Sequence, residues 1–105
     1  MDLIMYKKEF PEYDETIEIP DGFVDVSWHN DACPSICKSI DDNDAIVIYC
    51  DYKDPAKRRD GCGIGLQFVV AFEEDGLIVD ASILQFEKFE DAVACANSLY
   101  TEKTT

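Results

Sequence analysis

His29, Cys33 and Cys37 stand four residues apart in the run SWHNDACPSIC (residues 27–37), which also holds Trp28, the chain's only tryptophan. On a helix that spacing puts an imidazole and two thiols on one face. With Cys50 or Cys62 added, they would make the nitrogen and sulfur ligands of a closed tetrahedral zinc site. The same residues offer a second chemistry, a cysteine nucleophile with His29 as its base and Asn30 or Asp31 aiming the imidazole. Two features weigh against both. Cys33 precedes Pro34, and a residue before proline is pushed out of the α region, so a helix from His29 through Cys37 is not expected. The acidity of the chain also disfavours a thiolate and raises a thiol's pKa. No CxxC pair supplies the usual knuckle. The expectation is therefore a turn after a strand, with Trp28 on the strand's buried face and with no metal and no cofactor. A small metal-binding or thiol-active domain centred on His29, Cys33, Cys37 and Cys50 is the alternative.

Other motifs carry less. Gly61-Cys62-Gly63-Ile64-Gly65 has the glycine content of a phosphate loop. It leads into a strand-like run instead of a helix N-terminus, and it lacks the GxGxxG or P-loop spacing. Asp41-Asp42-Asn43-Asp44 has neither the spacing nor the distal Glu of an EF-hand, and reads as an acidic turn. Four of the nine basic residues, Lys53, Lys57, Arg58 and Arg59, gather beside Tyr52. This loop is a secondary contact candidate for phosphate or an acidic partner. Asp51, Asp54 and Asp60 interleave with it, so internal pairing is the plainer reading.

Acidic side chains are the most informative set. Nine Lys and Arg against 23 Asp and Glu leave a net charge of −14 over 105 residues, and the isoelectric point is near 4.1. A small domain needs a net charge of only about 2–8 for solubility, and the excess costs stability through self-repulsion. Such a field repels nucleic acid and anionic lipid and attracts basic surfaces. The candidate contact residues are Glu12, Asp14, Glu15, Glu18, Asp21 and Asp25, then Asp41, Asp42 and Asp44, then Glu73, Glu74 and Asp75. Tyr6, Tyr13 and Tyr52 are expected among them on the surface. The expected function is a non-enzymatic interaction protein, an inhibitor or nucleic-acid mimic that occupies a basic groove. Its partner is a basic protein surface such as a nucleic-acid-binding complex, with no direct nucleic acid and no membrane. In size and charge the chain resembles phage-encoded inhibitors of host defence complexes, the anti-CRISPR proteins among them. A self-associating accessory domain is a further alternative.

The elements that position these residues follow from periodicity. The length fits one domain, with an acidic, less regular N-terminal segment over residues 1–22. Residues 16–19 alternate like a short strand. In residues 23–28, Val24, Val26 and Trp28 alternate with Asp25 and Ser27, the pattern of a half-buried strand with the apolar side inward. Residues 35–40 and 45–52 flank the Asx-rich turn and predict a hairpin. Pairing Ile40 with Ala45 would put Cys37 and Cys50 on one face, diagonally about 7–8 Å apart. A disulfide needs Cα atoms within about 6.8 Å, so reduced thiols are expected, consistent with a cytoplasmic protein. Residues 66–73 and 77–86 flank Glu74-Asp75-Gly76 as a second hairpin. Phe89, Val93, Ala96 and Tyr100, with Ala92 and Leu99, mark a helix over about residues 87–101, with acids in its first turn. The fold class is α+β: an antiparallel sheet of about five strands built from hairpins, with one C-terminal amphipathic helix packed on it.

Overall fold

The two most apolar runs, AIVIYC and FVVAFEE, pair at the centre of the fold, where both their faces find cover. In the computed structural model, which describes residues 5–31, 33–54 and 66–105, they form β3 (Ala45–Cys50) and β4 (Phe68–Glu74). Outside β3 lie β2 (Ser35–Ser39) and the short β1 (Val24–Asp25). Outside β4 lie β5 (Leu77–Ile78) and β6 (Leu84–Phe86), both paired to it. All pairs are antiparallel. Helix α2 (Phe89–Thr104) packs on one face, giving the expected α+β architecture.

Turn chemistry sets the registers. Between β2 and β3, the Asp41 carboxylate accepts from the backbone N–H groups of Asn43 (2.9 Å) and Asp44 (2.8 Å). This Asx-turn leaves Ser39, not Ile40, opposite Ala45. The slip of one residue moves side chains between faces. Cys37 pairs with Val47 and Cys50 with Phe68, so the two thiols lie on opposite faces of the sheet instead of sharing one. Between β4 and β5, Asp75 (φ 54°) and Gly76 (φ 82°) both take left-handed conformations. That is the twist-matched turn of a tight hairpin, and an Asp-Gly pair suits it. The return strand then breaks at a 3₁₀ turn, Asp80–Ser82. There the Ser82 hydroxyl accepts from Phe72 N–H at 2.8 Å and donates to the Val79 carbonyl at 2.6 Å, filling the gap in the ladder.

The inner face carries Ile36, Ile46, Ile48, Cys50, Phe68, Val70 and Phe72, all buried. Ala92 and Ala96 of α2 are fully buried against it, with Phe89, Val93, Leu99 and Tyr100 packed around them. Those six were the helical stripe read from the sequence. The N-terminal segment supplies the rest of the cover. A short helix, α1 (Met5–Glu9), was not expected, and after it Phe10, Tyr13, Ile17 and Phe23 enter the core. Tyr6 is 1% exposed, and its hydroxyl accepts from Ile17 N–H at 3.0 Å. Tyr6 and Tyr13 are thus core residues and not surface aromatics, and Tyr52 stacks edge-on to Tyr13 at 5.4 Å. Residues 16–19 make no strand; Ile17 is simply anchored in the core.

Residues 23–28 reverse the expected polarity. Val24, Val26 and Trp28 are 56%, 40% and 53% exposed, whereas Ser27 is buried and Asp25 partly so. Hydrogen bonds explain the inversion. Asp25 accepts from Tyr6 N–H (2.8 Å) and Ser27 N–H (3.0 Å), and the Ser27 hydroxyl accepts from Ser35 N–H (3.0 Å). Each inward polar group satisfies backbone donors that an apolar side chain would leave unpaired. Trp28 therefore does not anchor a core.

Candidate docking surface

The hairpin tips bring distant acids together. The N–H of Asp75 donates to the Asp44 carboxylate at 3.2 Å, joining the β2–β3 turn to the β4–β5 turn. Asp41, Asp42, Asp44, Glu74 and Asp75 thereby share one end of the sheet. No Lys or Arg pairs with any of them among the described residues. Several lysines are engaged by aromatic rings instead. Lys38 lies 4.1 Å from the centre of the Tyr100 ring and Lys103 4.4 Å from that of Phe72. Such cation–π contacts hold the ammonium groups away from the carboxylates.

Glu73, one residue before the tip, faces outward from β4 on the same side as Cys37, Val47 and Tyr49. These side chains, with Val26, Asp31 and Ser35, line a hollow of about 260 Å³. Burial and the Asp31 charge push the Glu73 carboxyl up from its ordinary value. Burial and the charges of Glu73 and Asp31 hold the Tyr49 phenol at about 12. The Cys37 thiol is also raised, by burial and then by Glu73. The hollow is thus a half-dry place with negative potential, which favours an incoming cation and disfavours a thiolate.

The N-terminal acids lie elsewhere. Glu12, Asp14, Glu18 and Asp21 are exposed, and Glu18 and Asp21 share a shallow groove with Glu90 of α2. Glu15 accepts a hydrogen bond from the Gln67 side chain. Asp25 is committed to backbone donors, as described above. Of the secondary contact loop, Tyr52 packs on the core and Lys53 is exposed. Lys57, Arg58 and Arg59 lie outside the described residues, as does the glycine run 61–65 with Cys62.

The residues of the metal or thiol alternative are not brought together. His29 is exposed, and its Nδ1 lies 2.8 Å from the Glu9 carboxylate, which also accepts from His29 N–H. That contact lowers the Glu9 pKa. Cys37 and Cys50 sit on opposite sheet faces, and burial raises the Cys50 thiol strongly. Cys33 is fully buried and disulfide-bonded, which corrects the expectation of five reduced thiols; Cys37, Cys50 and Cys95 are free. Among the described residues, no three His, Cys, Asp or Glu side chains are grouped as metal ligands. Nor is any helix there long and apolar enough to cross a membrane.

Asp31 and Tyr49 were not read as candidate contacts. Their relation to Glu73 depends on the register of three strands, and no local pattern carries it. Comparison with models of protein families, with curated proteins and with solved structures finds no match for the chain.

Proposed function

We propose that the protein is a non-enzymatic acidic docking protein that occupies the basic groove of a nucleic-acid-binding partner, with its carboxylates standing in for phosphates. What supports the reading is the convergence of five carboxylates at the joined hairpin tips without a pairing Lys or Arg among the described residues. A domain held together by hydrophobic burial gains nothing from such an arrangement, and like charges so placed repel. A basic groove removes that repulsion when it docks, and Arg or Lys in the groove pairs with the acids. The same acidity keeps nucleic acid and anionic membranes away, so the partner is a protein. The likeness to phage inhibitors of host defence complexes is one of size and charge, and the mechanism proposed is a competitive block of a nucleic-acid site.

Affinity capture from the native host lysate tests the reading when run at low and high salt, with and without heparin as a competing polyanion. The expected result is a basic nucleic-acid-binding protein that is retained at low salt and released by either treatment. Association that resists both salt and heparin would remove the proposal.

A further inference from the structure

The hollow on the outer face differs from the acidic tips in having walls. Val26 and Val47 are aliphatic, Ser35 and Cys37 are small and weakly polar, and Asp31, Tyr49 and Glu73 supply oxygen acceptors. No Lys or Arg pairs with Asp31 or Glu73 among the described residues. Lys38, the one basic residue in strands β2 to β4, points to the other face, where Tyr100 and Phe23 hold its ammonium group. Beside the hollow runs the outward stripe of Val24 and Val26, with the half-exposed Trp28 two residues on. An exposed tryptophan and two valines next to a half-buried carboxylate cost a free domain both solubility and stability.

We infer that this hollow is a receptor for a single arginine side chain of the protein partner. The aliphatic stem lies along Val26 and Val47, and the guanidinium reaches the carboxylates of Glu73 and Asp31. Arginine fits better than lysine on three counts. Its planar fork can address two separated acceptors, it stacks on an aromatic ring such as Tyr49, and it is more weakly hydrated than an ammonium group. Its stem buries against aliphatic walls while the charge stays at the acceptors. The stripe of Val24, Val26 and Trp28 then covers apolar neighbours of that arginine, in the manner of an aromatic anchor beside a charged one. This inference rests on the docking function proposed above and gives it a defined point of contact.

The probe is a capped peptide with one arginine, Ac-Ala-Leu-Arg-Leu-Ala-NH2, titrated into the ¹⁵N-labelled full chain, with its neutral citrulline counterpart as control. Saturable amide shifts are expected around Val26, Asp31, Cys37, Tyr49 and Glu73 with arginine and not with citrulline. Glu73→Gln should weaken binding about tenfold, as the loss of a charged hydrogen-bond partner does. Glu102→Gln, on the exposed end of α2, should weaken it less than about twofold. A second reading uses the unmodified protein: the arginine peptide should slow maleimide labelling of Cys37 and leave Cys95 unchanged. Shifts confined to the hairpin tips, or indifference to Glu73→Gln in a folded variant, would overturn the receptor and leave the broader docking function standing. Absence of any shift with the arginine peptide would likewise overturn the receptor, whereas the docking function falls only if association with a basic partner resists both salt and heparin.

Discussion

The two faces of the central sheet use alternate residues of the same strands and come out differently. On the inner face Ile46, Ile48, Val70 and Phe72 are sealed under α2 and the N-terminal segment. On the outer face Val47, Val69 and Ala71 are buried too, but Cys37, Tyr49 and Glu73 are only partly buried, and Val24, Val26 and Trp28 project beyond them. On the inner side the backbone donors of Tyr6, Ile17, Ser27 and Ser35 are taken up by side chains, whereas Asp31 and Glu73 on the outer side pair with no Lys or Arg among the described residues. Under the docking function proposed above, the contrast separates two tasks. The inner face seals the core, and the outer face, besides its buried Val47, Val69 and Ala71, keeps carboxylates and apolar side chains for a partner.

The sharpest way to break that contrast is to cut one residue from each face. Ile48→Ala should cost about 2–5 kcal/mol in denaturant unfolding, the usual penalty for a cavity under a sealed core. Val24→Ala should change stability by no more than about 0.5 kcal/mol. Comparable losses from the two would mean that the outer stripe is structural. Next in size is Tyr6→Phe. It leaves the buried Ile17 N–H without its acceptor and should cost about 1–3 kcal/mol in the same measurement.

Tyr6 also marks where the sequence was legible and where it was not. The hairpins and α2 could be read because their periodicity and turn residues are local: Asp75-Gly76 names its turn, and Phe89, Ala92, Val93 and Ala96 name a helix face. The burial of Tyr6 and the inversion of Val24, Val26 and Trp28 could not be read that way. Both depend on hydrogen bonds between separated residues, Tyr6 N–H to Asp25, Ile17 N–H to Tyr6 and Ser35 N–H to Ser27, which alternation does not encode. The hollow was hidden for a related reason. Its members come from β2, β3, β4 and the turn at Asp31, and a one-residue change of register would have scattered them across two faces.

The smallest effect concerns Glu73. Its carboxyl is raised by burial and by Asp31, so the folded protein keeps a proton that the unfolded chain releases first. Stability from this group is therefore present below the unfolded pKa, is lost as pH rises through the interval up to the folded pKa, and stays lost above it. Glu73→Gln should raise Tm by about one degree at neutral pH, the scale of a solvent-screened charge, and leave it unchanged in acid below both values. The same substitution should weaken partner binding. A variant that gains stability and loses affinity is the signature of an outer face kept for contact.

The most direct measurement is the salt dependence of the association constant with the captured basic partner, for the wild type and for a variant carrying Asp42→Asn, Glu74→Gln and Asp75→Asn. These three leave the Asx-turn oxygen of Asp41 and the Asp44 acceptor in place. The wild-type constant should fall steeply with salt, the variant should bind more weakly at low salt, and the two should converge at high salt. Equal constants at low salt, or a wild-type constant that does not fall with salt, would contradict the docking function.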